Sequence, residues 1–332
     1  MKYDVNDYRD LDRDIWEKEL QDFVPSLIYD MHNHIWNDAH KGQATEPPAG
    51  LRLEADYQDH LDWAARLYPG REMHYLILGN PVLGMDTEAH NDWLAAQMAA
   101  DPKSEVNMMV TPDMTPEYVA EQVKKHDFFG LKPYRTFAPD PANGRIRDFL
   151  PESHIEVAHD LGLAITLHMA KKTGPADSEN QQDLQRYTRD YPRAQWILAH
   201  CARAFNAFMM EEAIHVLVDL PNIWYDTSAV NDLYSHYLLM KHEDRKRVMF
   251  GSDNIVAGCA RGKYITWGRA WYQFEGDPRA IHCDNTPTFV IYEQLRQERQ
   301  VADMLGLTQG EIEDHFSGNA QRFIAQVRGQ RN

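Results

Sequence analysis

Short apolar runs alternate along this chain with longer stretches in which apolar residues recur every three or four positions, the patterns of strand and helix. The first run, Ser26-Leu27-Ile28-Tyr29-Asp30-Met31, predicts a strand. Residues 37–50 follow, rich in Gly, Pro and polar side chains and long enough to be a site loop or lid. Residues 53–67 then read as a helix. Further strands are predicted at 74–78, 106–110, 128–132, 163–168, 195–200, 222–226 and 247–251. Helices are predicted between them at 87–100, 115–126, 151–161, 178–190, 205–220 and 233–242. Eight short strands alternating with helices predict a parallel sheet, and that count over about 230 residues favours a closed (β/α)8 TIM barrel over an open doubly wound sheet.

Four segments lie outside the alternation. Residues 1–25 form a polar extension with one amphipathic stretch around Ile15, Trp16, Leu20 and Phe23, expected to pack on the outside of a barrel domain spanning 26–332. Residues 254–276 make a long insertion after the eighth strand, with an aromatic cluster of Tyr264, Trp267, Trp271, Tyr272 and Phe274. That cluster reads as a satellite core, a substrate wall or a subunit interface, so a homo-oligomer stays open. Residues 287–305 and 309–327 are expected to be closing helices.

Composition narrows the partners. With 43% hydrophobic and 26% charged residues the chain is globular in character, and no apolar run approaches the roughly 18 residues needed to cross a bilayer. A net charge of −17 opposes binding to nucleic acid or anionic membrane, so an anionic partner needs a local basic site. Three cysteines, Cys201, Cys259 and Cys283, without metal-finger spacing suit a reducing cytoplasm, and the acidic N-terminus lacks the apolar core of a secretory signal.

The chemistry sits at strand ends. His32 and His34, one residue apart, share a face of the first strand and are spaced to grip one cation. Lys132 ends the fourth strand, His168 the fifth and His200 the sixth, and Ser252-Asp253 follows the eighth. A barrel aims all of these at its C-terminal rim, where such folds keep their active sites. His168 alone would read as a core histidine and Asp253 alone as a cap, but five strand-end placements together favour a metal. Imidazoles with a carboxylate suit zinc, with manganese or iron as alternatives. Nucleophile-elbow, P-loop and dinucleotide-binding motifs are absent from the sequence. Cys201, next to His200 on a strand, should face away from it and pack.

In this order the residues resemble the amidohydrolase superfamily: His-x-His after the first strand, Lys in the fourth, His after the fifth, His200-Cys201-Ala202-Arg203 after the sixth and Gly251-Ser252-Asp253 after the eighth. Gly130-Leu131-Lys132-Pro133 and Phe316-Ser317-Gly318-Asn319-Ala320-Gln321-Arg322 are similar to the amidohydrolase-2 branch of metal-dependent hydrolases and decarboxylases. The resemblance runs from about residue 26 to 325 and is not specific for substrate. It implies one divalent metal, zinc first, held by His32, His34, His168 and Asp253, with His200 an acid/base or a further ligand. A second ion is implied only if Lys132 is carbamylated, as in two-metal members. The expected reaction is hydrolysis by a metal-activated water, with Asp253 as base and His200 polarising the substrate; non-oxidative decarboxylation of an unsaturated or aromatic acid is the alternative, and a barrel that binds without turnover the third. A small anionic substrate is expected, because Lys132, Arg135, Lys171, Lys172, Arg203, Arg261 and Lys263 all follow strand ends in an acidic chain. Arg203 and Arg135 lead this set, with Lys132, Arg261 and Trp36 as further candidate contacts.

Overall fold

The computed structural model of the chain describes residues 8–41, 54–277 and 279–331; most of the site loop expected at 37–50 lies outside them. Its strands are β1 (Leu27–Ile35), β2 (Glu72–Gly79), β3 (Glu105–Val110), β4 (Gly130–Pro133), β5 (Ala164–Leu167), β6 (Gln195–Leu198), β7 (Ile223–Asp226) and β8 (Val248–Met249). They pair in chain order, all parallel. The circle closes just beyond β8, where Met31 N–H donates to Phe250 O at 3.0 Å, Asp253 N–H to His32 O at 2.7 Å, and Asn33 bridges Asn254. This is the expected (β/α)8 barrel. Two helices match the sequence reading residue for residue, Ser178–Asp190 and Leu233–His242, each started by an aspartate whose side chain accepts from first-turn N–H groups.

Apolar side chains fill two layers. Inside the barrel Tyr29, Met31, Leu76, Leu78, Phe129, Ile197 and Met249 meet Ala320, Phe323 and Val327 of the helix Asn319–Gly329, which plugs the end where the strands begin. A larger core lies between the strands and the surrounding helices. Each fully buried large side chain in these layers contributes about 1.5–3 kcal/mol.

One irregularity in β1 bears on function. Tyr29 pairs with His74 and His34 with Leu78, so Met31 and His32 together oppose the single Leu76. This bulge switches the strand's parity: Tyr29 and Met31 point into the barrel below it, His32 and His34 above it.

The N-terminal segment, helical over Asp10–Ile15 and Trp16–Leu20, buries Ile15, Trp16 and Leu20 as expected, and Glu19 takes Arg296 at 2.6 and 2.8 Å. The insertion after β8 holds an element that the sequence reading missed, an antiparallel hairpin of β9 (Lys263–Trp267) and β10 (Ala270–Phe274).

Candidate metal centre

At the C-terminal rim His32 Nε2 lies 3.2 Å from His34 Nε2, and Asp253 Oδ1 lies 3.0 Å from His34 Nε2 and 3.7 Å from His32 Nε2. Donor atoms bound at about 2.1 Å to one tetrahedral cation stand about 3.4 Å apart, so these three fit a zinc-sized ion. Their tautomers fit too. His32 Nδ1 bonds the Asp226 carboxylate at 2.8 Å and His34 Nδ1 the Gly79 carbonyl at 3.1 Å. Neither oxygen can donate, so each Nδ1 carries the proton and each Nε2 presents a lone pair. Three lone pairs thus converge with no hydrogen between them. All three residues are buried. Burial outweighs the pull of Asp226 and pushes His32 down to about 3, which keeps it neutral. Burial works against ionised Asp253, but the neighbouring imidazoles, His34 first, prevail and hold it down to about 2.

His200 and His168 complete the imidazole group. The His200 ring centre lies 4.6 Å from that of His32 and 5.0 Å from that of His168. His200 Nδ1 bonds Ser228 O at 2.9 Å and His168 Nδ1 bonds Met169 O at 3.0 Å, leaving both Nε2 atoms as acceptors. Neutral His200 is therefore arranged as a ligand or base, two of the roles expected of it; the third, polarising the substrate, requires a proton on Nε2. Burial lowers the pKa of His200, and lowers that of His168 strongly with help from His200, Arg203 and Arg135. His200 does not continue β6 as expected. Residues His200, Cys201, Ala202 and Arg203 all have φ between 50° and 66°, a left-handed run without glycine. Cys201 packs as expected, but through this turn, with Sγ 3.8 Å from His236 Nδ1.

Asp226, which sequence reading passed over, joins these parts. Besides His32 it accepts from His200 N–H at 3.0 Å, Ser228 N–H at 3.1 Å and the Ser228 hydroxyl. Gly251 leaves room for it: a Cβ there would lie 3.0 Å from that of His32 and 3.3 Å from that of Asp226. Asp30 supports from behind, accepting from His32 N–H and from the Ser252 N–H and hydroxyl. Tyr134 was also missed; its hydroxyl donates to Gly79 O, 3.4 Å from His34 Nδ1.

The basic candidates separate. Lys132 is buried, and burial against the pull of Asp226 and Asp253 sets it down to about 8, still an ammonium at neutral pH. Arg203 is pushed down to about 10 by burial and the nearby charge of Arg135; each guanidinium bonds a backbone carbonyl, Lys171 O and Pro141 O respectively, and neither has a carboxylate partner among the described residues. Lys171 is paired with Glu179, and Lys263 lies 3.5 Å from Glu293. Arg261 is committed to buried Asp12 by two bonds of 2.8 and 2.7 Å and lies over the Phe289 ring, so it straps the N-terminal segment to the insertion. Trp36 is buried in the core with its backbone paired to Ala55. Phe205 stacks on Trp271 at 4.2 Å and lies 5.3 Å from both Tyr264 and His200, an aromatic wall beside the imidazoles.

The amidohydrolase family model matches residues 29–325, and the chain belongs to that metal-dependent family. No curated protein matches the sequence. Among solved structures, 4-oxalomesaconate hydratase from Rhodopseudomonas palustris is similar at 15% identity over 91% of this chain and 97% of its own, with a TM-score of 0.55. 5-Carboxyvanillate decarboxylase from Sphingomonas paucimobilis is similar at 14% over 90% and 99%, TM-score 0.57. An amidohydrolase from Burkholderia multivorans with bound HEPES is similar at 14% over 90% and 99%, TM-score 0.60. At these identities the likeness is one of fold, and the similar structures carry the names of a hydratase, a decarboxylase and an amidohydrolase. No helix among the described residues is long and apolar enough to cross a membrane.

Proposed function

We propose that the protein is a metal-dependent hydrolase acting on a small lactone, amide or ester that carries a carboxylate. The observation behind this reading is the convergence of His32 Nε2, His34 Nε2 and Asp253 Oδ1 as three unprotonated donors. A bound divalent cation supplies Lewis acidity, lowering the pKa of a water to about 7 and polarising a carbonyl oxygen. His32, His34 and Asp253 would hold it, with the free Nε2 of His168 or His200 available as a further ligand. Asp253, ionised, accepts a proton from the attacking water and returns it to the leaving group. Arg203 and Arg135, which lie near His168 and have no carboxylate partner among the described residues, grip the substrate's carboxylate. Lys132 stabilises negative charge developing near Asp253.

The test is a screen of lactones, amides and esters bearing carboxylates, run with chelated protein and protein reloaded with zinc or manganese in ¹⁸O-labelled water. Metal-dependent turnover with label in the product is expected. Activity that survives removal of all metal would overturn the reading. The aromatic wall beside His200 favours a second reading, decarboxylation of a flat conjugated acid, in which Phe205 and Trp271 stack on its ring. Carbon dioxide released without incorporation of label would select it.

A further inference from the structure

We infer that Asp226 is a positioning residue that sets, with one carboxylate, both the tautomer of His32 as a metal donor and the backbone turn that presents His200. The inference rests on the metal reading above but is tested separately from it. Its two oxygens are divided between two tasks. Oδ2 takes the Nδ1 proton of His32 at 2.8 Å, which turns the Nε2 lone pair toward His34 and Asp253. Oδ1 takes the backbone N–H of His200 at 3.0 Å, that of Ser228 at 3.1 Å and the Ser228 hydroxyl, whose oxygen in turn lies 2.9 Å from His200 Nδ1. His200 opens four consecutive left-handed residues, so its N–H needs a fixed acceptor outside any helix or strand. Asp226 lies inside the barrel by the alternation of β7 and is completely buried; among the described residues it meets no Lys or Arg side chain by hydrogen bond, and its side-chain bonds go to His32, His200 and Ser228.

Asp226→Asn separates the tasks. The two backbone N–H groups hold the amide oxygen on the His200 side, so the NH₂ group faces His32. Two donors cannot face each other, and His32 must move its proton to Nε2, into the donor set. Ser228→Ala touches only the His200 side. The experiment measures zinc affinity by chelator competition for wild type, Asp226→Asn and Ser228→Ala, with His32 protonation read by ¹⁵N-histidine NMR of metal-free protein. Asp226→Asn should weaken zinc binding 10- to 100-fold and move the His32 proton to Nε2, while Ser228→Ala keeps wild-type affinity. Asp226→Asn binding zinc as tightly as wild type would overturn the inference, as would an equal loss in Ser228→Ala. Should Asp226→Asn fail to fold, wild-type NMR decides alone: an Nε2–H tautomer at His32 overturns it. A wild type that binds no zinc at all instead defeats the metal reading.

Discussion

The two ends of the barrel use charge in opposite ways. At the end where the strands begin, Arg328 bonds Glu105 at 2.9 and 2.5 Å and Asp127 at 2.7 Å, Arg331 bonds Asp127 and the carbonyls of Phe128 and Phe129, and Arg247 bonds Glu243 and the carbonyls of Leu220 and Ile223. At the end where the strands finish, Arg135 and Arg203 have no carboxylate partner among the described residues, and four neighbouring imidazoles bond through Nδ1 and leave Nε2 unprotonated. A pair that is complete stabilises the fold and does nothing more. Donors and acceptors left incomplete cost stability and are held in place only by the partners behind them.

The contrast is broken most directly by removing a donor from the open end. His34→Ala and Asp253→Asn should leave less than about a tenth of the wild-type metal by elemental analysis and lower kcat at least about 1000-fold; either variant with full metal and full activity would remove the centre from the mechanism. Next comes Arg203→Met. Removing one arm of a desolvated charge pair costs about 2–5 kcal/mol, so kcat/KM for the carboxylate substrate should fall about 30-fold or more at unchanged metal content. An unchanged kcat/KM, or preference for neutral analogues, would show that Arg203 grips no substrate.

Acid should reach the open end first. His90, buried beside Gly79, is pushed down to about 3 by burial and by the charge of His40. Between about pH 6.5 and 3 the unfolded chain takes up a proton that the native state refuses, so this stability is complete above about 6.5 and is lost as pH falls. Urea unfolding should show stability dropping by about 1.4 kcal/mol per pH unit from His90 alone, and His90→Gln should reduce the slope by one proton. A slope unaltered in that variant would assign the acid sensitivity to other imidazoles. The smallest effect belongs to the complete pairs: Arg328→Met should cost about 1 kcal/mol, a shift of about 2 °C in Tm, shrinking in molar salt, with kcat untouched. A change in kcat there would show that the two ends are coupled.

Much of the rim was legible because strand alternation and barrel closure are both simple rules. His32, His34, His168, His200 and Asp253 fall together for that reason. Asp226 was within reach of the same rule, since Trp224 and Asp226 share a face and Asp226 ends its strand. The rest depends on contacts that no local pattern carries. The β1 bulge is visible only against Leu76 of the next strand. The left-handed run from His200 to Arg203 contains no glycine, and it is held by Asp226, 26 residues away. Arg261 lies in the segment after β8, where a substrate contact was expected, yet it pairs with Asp12 from the other end of the chain. The hairpin of β9 and β10 was hidden because its aromatic residues look like a cluster until the turn between Trp267 and Ala270 is placed.

Closure of the barrel between β1 and the segment after β8 has a consequence for biogenesis. His32 and Asp253 are about 220 residues apart in sequence, and they are brought together by the bonds across this junction, among them those joining Met31 to Phe250 and His32 to Asp253. A cation gripped by both acts as a staple across nearly the whole chain, and closing a loop of that length is entropically costly for an unfolded polypeptide. A nascent chain that ends before Asp253 carries the histidines of the rim but lacks the carboxylate that meets His34 at 3.0 Å. On the proposed metal reading, the donor set of His32, His34 and Asp253 is complete only after the eighth strand, so loading is expected late in synthesis.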